Sequence, residues 1–105
     1  MAAPHTPTLA AKQAIQRIGR DLRRARLRRR LPMAIVADRA AISQPTLRRV
    51  ERGDAAVAFG IYASVMHALG LVGTLGTLIA EDPAGDAIED SRLPQRIRLP
   101  KPIVP

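Results

Sequence analysis

Residues 42–53, Ile-Ser-Gln-Pro-Thr-Leu-Arg-Arg-Val-Glu-Arg-Gly, leave the chain few local choices. Ser43 or Gln44 offers a side-chain acceptor for the unpaired amides of a first helical turn, and Pro45 fits that turn because no amide hydrogen bond is needed there. Gly53 can take the left-handed conformation that ends a helix. Between these signals Leu47 and Val50 lie three apart and face inward, while Gln44, Thr46, Arg48, Arg49 and Arg52 project outward at various angles. The pattern predicts a short helix over residues 43–52, apolar on its inner face and basic on its outer one. Such exposed groups are of the kind that reach base edges and phosphates.

The flanking sequence predicts an all-α, compact five-helix domain over residues 9–80. Residues 1–8 carry two prolines and no periodicity, which predicts a flexible arm. Helical spacing of Leu9, Ile15, Ile18, Leu22 and Ala25 gives a first helix ending near Arg30, ahead of Pro32. A second helix follows over residues 32–40, with Val36, Ala37 and Ala40 inward, and Ala41 and Ile42 turn the chain into the basic helix. Residues 54–58 read as a loop. Residues 59–69 read as an amphipathic helix burying Ile61, Tyr62, Val65, Met66 and Leu69, closed by Gly70. A fifth helix over residues 71–80 aligns Val72, Leu75, Leu78 and Ile79, although Gly73, Gly76 and two threonines weaken it. Asp82 and Pro83 should end that helix, and a further helical turn is expected over residues 86–90. Pro94, Pro100, Pro102 and Pro105 exclude regular helix from the tail, so residues 81–105 form a Pro-rich extension, partner-binding or disordered.

Charge divides the chain in two. Residues 1–52 hold thirteen Lys and Arg against three acids, whereas residues 53–105 hold four against six. The first half is suited to a polyanion. Eight arginines and a single acid, Asp21, lie between Arg17 and Arg30 and go all round the first helix. Arg28, Arg29 and Arg30 stand next to the start of the second helix and are expected to contact phosphates. With no Cys there are neither disulfides nor thiolate metal sites. No apolar run approaches the ~18 residues that cross a bilayer, and the first nine residues lack a secretory pattern, so the chain reads as cytoplasmic.

Other chemistry is poorly supported. His5 and His67 have no neighbouring second ligand, Ser43 and Ser64 suit a cap and a small packing residue, and no nucleophile, acid pair or phosphate loop stands out. No enzyme, metal or cofactor is expected. Single-stranded RNA would want stacking rings, and Phe59 and Tyr62, the only two aromatics, both read as core. A membrane surface would want a wider apolar face than the first helix offers. Duplex DNA fits better: Gln44 can pair with adenine and Arg49 with guanine, while Pro45 or the Thr46 methyl can pack on a thymine methyl. Arg48 is a weaker base-reader, since its angle also suits a phosphate or the second helix.

Two short helices joined by a tight turn, with Arg26, Val36-Ala37 and Glu51-Arg52-Gly53 at their spacing, resemble the helix-turn-helix of the lambda-repressor and Cro class, or XRE family. The resemblance covers roughly residues 18–78. It implies a lambda-repressor-like fold and a buried ion pair between Arg26 and Glu51. It also implies base contacts from Gln44, Pro45 and Arg49, and phosphate contacts at or beside Thr46 and Arg52. Where that family commonly places Gln at the start of its second helix, this chain has Met33, to which no DNA role is assigned.

The second half raises the question of partners. In the resembled class the last helices commonly build a two-fold dimer, which here would use Leu71, Val72, Leu75, Leu78 and Ile79 and would read a palindromic operator. Ile35 is apolar on a face expected to meet solvent. The tail from Arg92 to Pro105, with its Leu93-Pro94-Gln95-Arg96-Ile97-Arg98 segment, is similar to the endings of HipB-like antitoxins, which pair with HipA-like kinase toxins. The resemblance thus implies a repressor that doubles as an antitoxin. A stand-alone phage-like or metabolic regulator is the alternative, and an Arg-rich RNA-binding protein a remote one.

Overall fold

A computed structural model describes residues 5–89, 93–97 and 99. Six helices and no strands occur among them: α1 Leu9–Arg28, α2 Met33–Arg39, α3 Gln44–Glu51, α4 Phe59–Ala68, α5 Val72–Gly76 and α6 Pro83–Ile88. The expected arm and Pro-rich tail lie partly outside the described residues.

The helices stop where the backbone turns left-handed. After α1, α2, α3 and α4 stand Arg30 (φ 53°), Ala41 (φ 57°), Gly53 (φ 70°) and Gly70 (φ 77°). Each end carries the same pair of hydrogen bonds. After α2, for example, the Ala41 amide donates to the Asp38 carbonyl and the Ile42 amide to the Ala37 carbonyl. These satisfy carbonyls that the helix leaves unpaired. The repeat explains why α1 ends at Arg28 rather than near Arg30. Arg30 is already the left-handed residue, and the Leu31 amide bonds back to the Arg26 carbonyl. Pro32 is the N-cap of α2, outside the helix.

Helix α3 sits at the centre, packed against α1, α2 and α4. Leu47 and Val50 from α3, Val36 from α2 and Val65 from α4 are the largest fully buried side chains. Leu22, Ala25, Ala37, Ala40, Val57, Tyr62 and Leu69 complete the core, and Ile15, Leu31, Met33, Ile42 and Met66 pack around it. Met33 therefore serves as apolar packing at the head of α2.

Four expectations need correction. The first two turns of α1 carry no buried residue; Leu9 and Ile18 are exposed, and burial begins at Gly19. Phe59, expected in the core beside Tyr62, is 67% exposed, because it opens α4 at the rim of the body. Helix α5 spans five residues rather than ten and buries none. Beyond Gly76 the chain continues in turns, with the Leu78 amide on the Leu75 carbonyl and the Thr77 hydroxyl bonding back to the Gly73 and Thr74 carbonyls. Two glycines and two threonines there supply too little helix propensity to prolong it. Finally, Asp82 and Pro83 begin a helix instead of only ending one: the Asp82 side chain caps the Gly85 amide at 3.0 Å and Pro83 fills the first turn of α6.

Candidate nucleic-acid interface

Ser43 is the residue that caps α3. Its hydroxyl accepts from the Thr46 amide at 3.2 Å and pairs with the Thr46 hydroxyl at 2.9 Å. Thr46, expected at or beside a phosphate, is half-buried with its hydroxyl in this local pair. With the helix start fixed, the i, i+3, i+4 pattern turns Leu47, Val50 and Glu51 inward and leaves Gln44, Pro45, Arg48, Arg49 and Arg52 exposed on one outer surface.

Glu51 is buried because Arg26 meets it. Arg26 Nε donates to Glu51 Oε2 at 2.7 Å and Nη2 donates to Oε1 at 3.0 Å, a two-point carboxylate–guanidinium contact. Nη1 donates in addition to the Leu31 carbonyl at 3.1 Å. One guanidinium thus fastens α1, α3 and the link into α2. The Glu51 hydrogen bond pushes the Arg26 pKa further above its ordinary value, outweighing the opposing effect of burial.

The outer arginines differ in their surroundings. Arg48 and Arg52 line a hollow of about 310 Å³ together with Arg23 and Met33, with the Arg26–Glu51 pair also in its wall. Arg48 therefore shares a basic recess with Arg23 and Arg52. Arg23 was not distinguished in the sequence from the other arginines of the first helix; its position one turn before Arg26 was the available clue. Arg49 stands apart from that recess. Its Nε donates to Asp54 Oδ2 at 2.8 Å.

A family model described as a helix-turn-helix domain matches residues 17–76, more than half of the chain. The chain belongs to the helix-turn-helix domain family. No curated protein and no solved structure matches it. In this helix-turn-helix domain α2 and α3 are the paired helices and residues 40–43 make the turn, with α3 in the position of the element that enters a major groove.

Around the helix-turn-helix, the expected phosphate contacts of the α1 end are spread over a turn. Arg28, Arg29 and Arg30 are all exposed, but Arg29 Nη1 donates to the Ala25 carbonyl at 2.9 Å and so also caps α1. Asp54, which received no role from the sequence, is held by its surroundings. The Ala56 amide, followed by the Arg49 guanidinium, holds its carboxyl below the usual carboxylate value. The Tyr62 hydroxyl donates to the Asp54 backbone carbonyl at 2.8 Å, and burial pushes the Tyr62 phenol up.

The residues expected at a dimer or partner contact divide. Leu71 and Leu75 are half-buried, whereas Val72, Leu78 and Ile79 are exposed. Leu71, Leu75 and Leu78 line an apolar groove of about 480 Å³, shared with Ile18 of α1 and with Phe59 and Met66 of α4. Ile35 on α2 is also exposed. Among the described residues no helix is long and apolar enough to cross a membrane, and no cluster of His, Cys, Asp and Glu could hold a metal.

Proposed function

We propose that this chain is a non-enzymatic, sequence-specific transcriptional repressor that binds a palindromic operator as a homodimer. One observation carries the reading: α3 is a capped helix with its apolar residues and Glu51 inside and Gln44, Pro45, Arg48, Arg49 and Arg52 together outside. Gln44 and Arg49 read base edges, with Pro45 beside them. Arg52, Arg28, Arg29 and Arg30 take phosphates, with Thr46 at the helix start, and Arg48 leans to the same task from the recess it shares with Arg23. A dimer formed through the exposed apolar residues of the second half would set its two recognition helices about 34 Å apart.

The finer reading is a repressor–antitoxin that also binds a HipA-like kinase. Its support is the resemblance of the tail, with its residues 93–98, to such antitoxins, together with the exposed apolar side chains of Val72, Leu78 and Ile79.

Selection of a duplex from a random pool, followed by binding of variants, tests the DNA reading. Arg49→Ala should relax base preference at one position per half-site, and Arg29→Ala should weaken all sequences alike. If both variants bound the selected duplex as the native chain does, the docking would be wrong. The antitoxin reading is tested by co-expression with the product of the neighbouring reading frame. A co-purifying kinase supports it, and recovery of the chain with itself alone supports the stand-alone regulator.

A further inference from the structure

Asp54 follows Gly53 directly and is fixed at every polar atom. Its amide donates to the Arg49 carbonyl at 3.0 Å, and its carbonyl accepts from Tyr62, a core residue. Of its two carboxylate oxygens, Oδ1 accepts from the Ala56 amide at 2.9 Å and Oδ2 accepts from Arg49 Nε. The carboxylate is therefore anchored to the body by its own loop, and the arginine is held against something that does not move with it. Among the described residues this is the one ion pair made by an arginine of the outer face of α3.

A guanidinium has two edges that can donate in pairs: a side edge formed by Nε with one Nη, and an end edge formed by the two Nη groups. Holding Nε against a carboxylate fixes the plane of the fork and leaves the end edge for a second acceptor pair. Guanine presents such a pair, O6 and N7, in the major groove. An arginine on a free stem must be ordered as it binds; one held in advance loses less freedom. We propose that Asp54 is the positioning residue for Arg49, presenting its Nη1–Nη2 edge as a preformed fork to a guanine in the operator. The proposal rests on the reading of Arg49 as a base contact.

Asp54→Asn separates the two duties of the side chain. The amide oxygen can still accept from Ala56, but no second acceptor remains for Arg49 and the negative charge is gone. Binding of the full-length native chain, Asp54→Asn, Arg49→Ala and the double variant is measured on the selected duplex and on duplexes with each half-site base pair replaced in turn. Asp54→Asn should reduce discrimination about tenfold at the one position that Arg49→Ala relaxes, within the range of a bidentate base contact. It should leave other positions alone and change nothing further in the Arg49→Ala background. Asp54→Ser, which also keeps an acceptor for Ala56, should repeat the result and serves if the Asn variant folds poorly.

The proposal is overturned if Asp54→Asn tightens binding to every duplex without altering preference, because the carboxylate would then only withhold a cation. It is equally overturned if preference falls by the same factor with Arg49 absent, since the effect would then come through the loop. If Arg49→Ala itself relaxes no position, the base-reading assignment fails and this proposal with it; a relaxed Arg49→Ala beside a neutral Asp54→Asn removes the positioning role alone.

Discussion

Gly19 of α1 and Gly53 at the end of α3 lie against each other with no room for a methyl group between them. A Cβ on Gly19 would come 2.5 Å from both the Gly53 amide nitrogen and the Val50 carbonyl oxygen. Backbone cannot retreat as a side chain can, so Gly19→Ala should separate α1 from α3 and cost about 2–3 kcal/mol, the upper part of the range for overpacking. Urea unfolding of the variant checks this; an unchanged midpoint would mean that the two helices have slack.

Arg26 and Glu51 should tolerate joint replacement better than single loss. Glu51→Ala strands a buried guanidinium and should cost about 3–5 kcal/mol, whereas Arg26→Met with Glu51→Leu should recover most of that loss. Chemical denaturation of the two singles and the double gives the comparison.

The left-handed helix ends differ in what occupies them. Ala41 stands at φ 57° where a glycine would be unstrained. A non-glycine residue there costs about 1–2 kcal/mol, and the extra freedom of an unfolded glycine takes back about 0.4–1 kcal/mol. Ala41→Gly should therefore raise stability by up to about 1.6 kcal/mol. Gly70→Ala, with open space around its Cβ position, should lose only the backbone strain; Gly53→Ala should lose more, because its Cβ would press on the backbone of Ile15 and Gln16. Thermal unfolding of the three variants orders them.

Acid should weaken the Asp54 loop. Since the folded-state carboxyl lies below its unfolded value, the unfolded chain binds more protons across the acid range. The contribution is complete above the unfolded carboxylate value and is lost as pH falls through the lower, folded one. Asp54→Asn should flatten that part of the acid limb in a stability–pH profile by lowering stability in the neutral region, by the small amount expected of an exposed pair, and should converge with the native chain in acid.

Much of this arrangement could be read from residue types. Apolar spacing located α2, α3 and α4; a capped start marks α3 alone, and Gly53 and Gly70 close α3 and α4. Arg30 hid the end of α1, since an arginine in a left-handed position carries no mark in the sequence. Phe59 misled because periodicity gives an angle around a helix axis and says nothing of depth along it; the first residue of α4 clears the core that Tyr62 enters. Gly19 carried no signal in the sequence, because its partner lies 34 positions away at Gly53. Asp54 escaped notice because reasoning about a helix face stops at the glycine that ends the helix, and its acceptor role begins on the next residue.

The reach of the Arg26 side chain also governs how the molecule can open. With one guanidinium bonded to Glu51 on α3 and to the Leu31 carbonyl before α2, the paired helices cannot part from α1 one at a time. Their central amide protons should exchange with solvent only when the whole core comes apart, whereas those of α5 and α6, which bury no side chain, should exchange through local fraying. The domain would then meet its target with a rigid reading head, while α5 and α6 keep the pliancy.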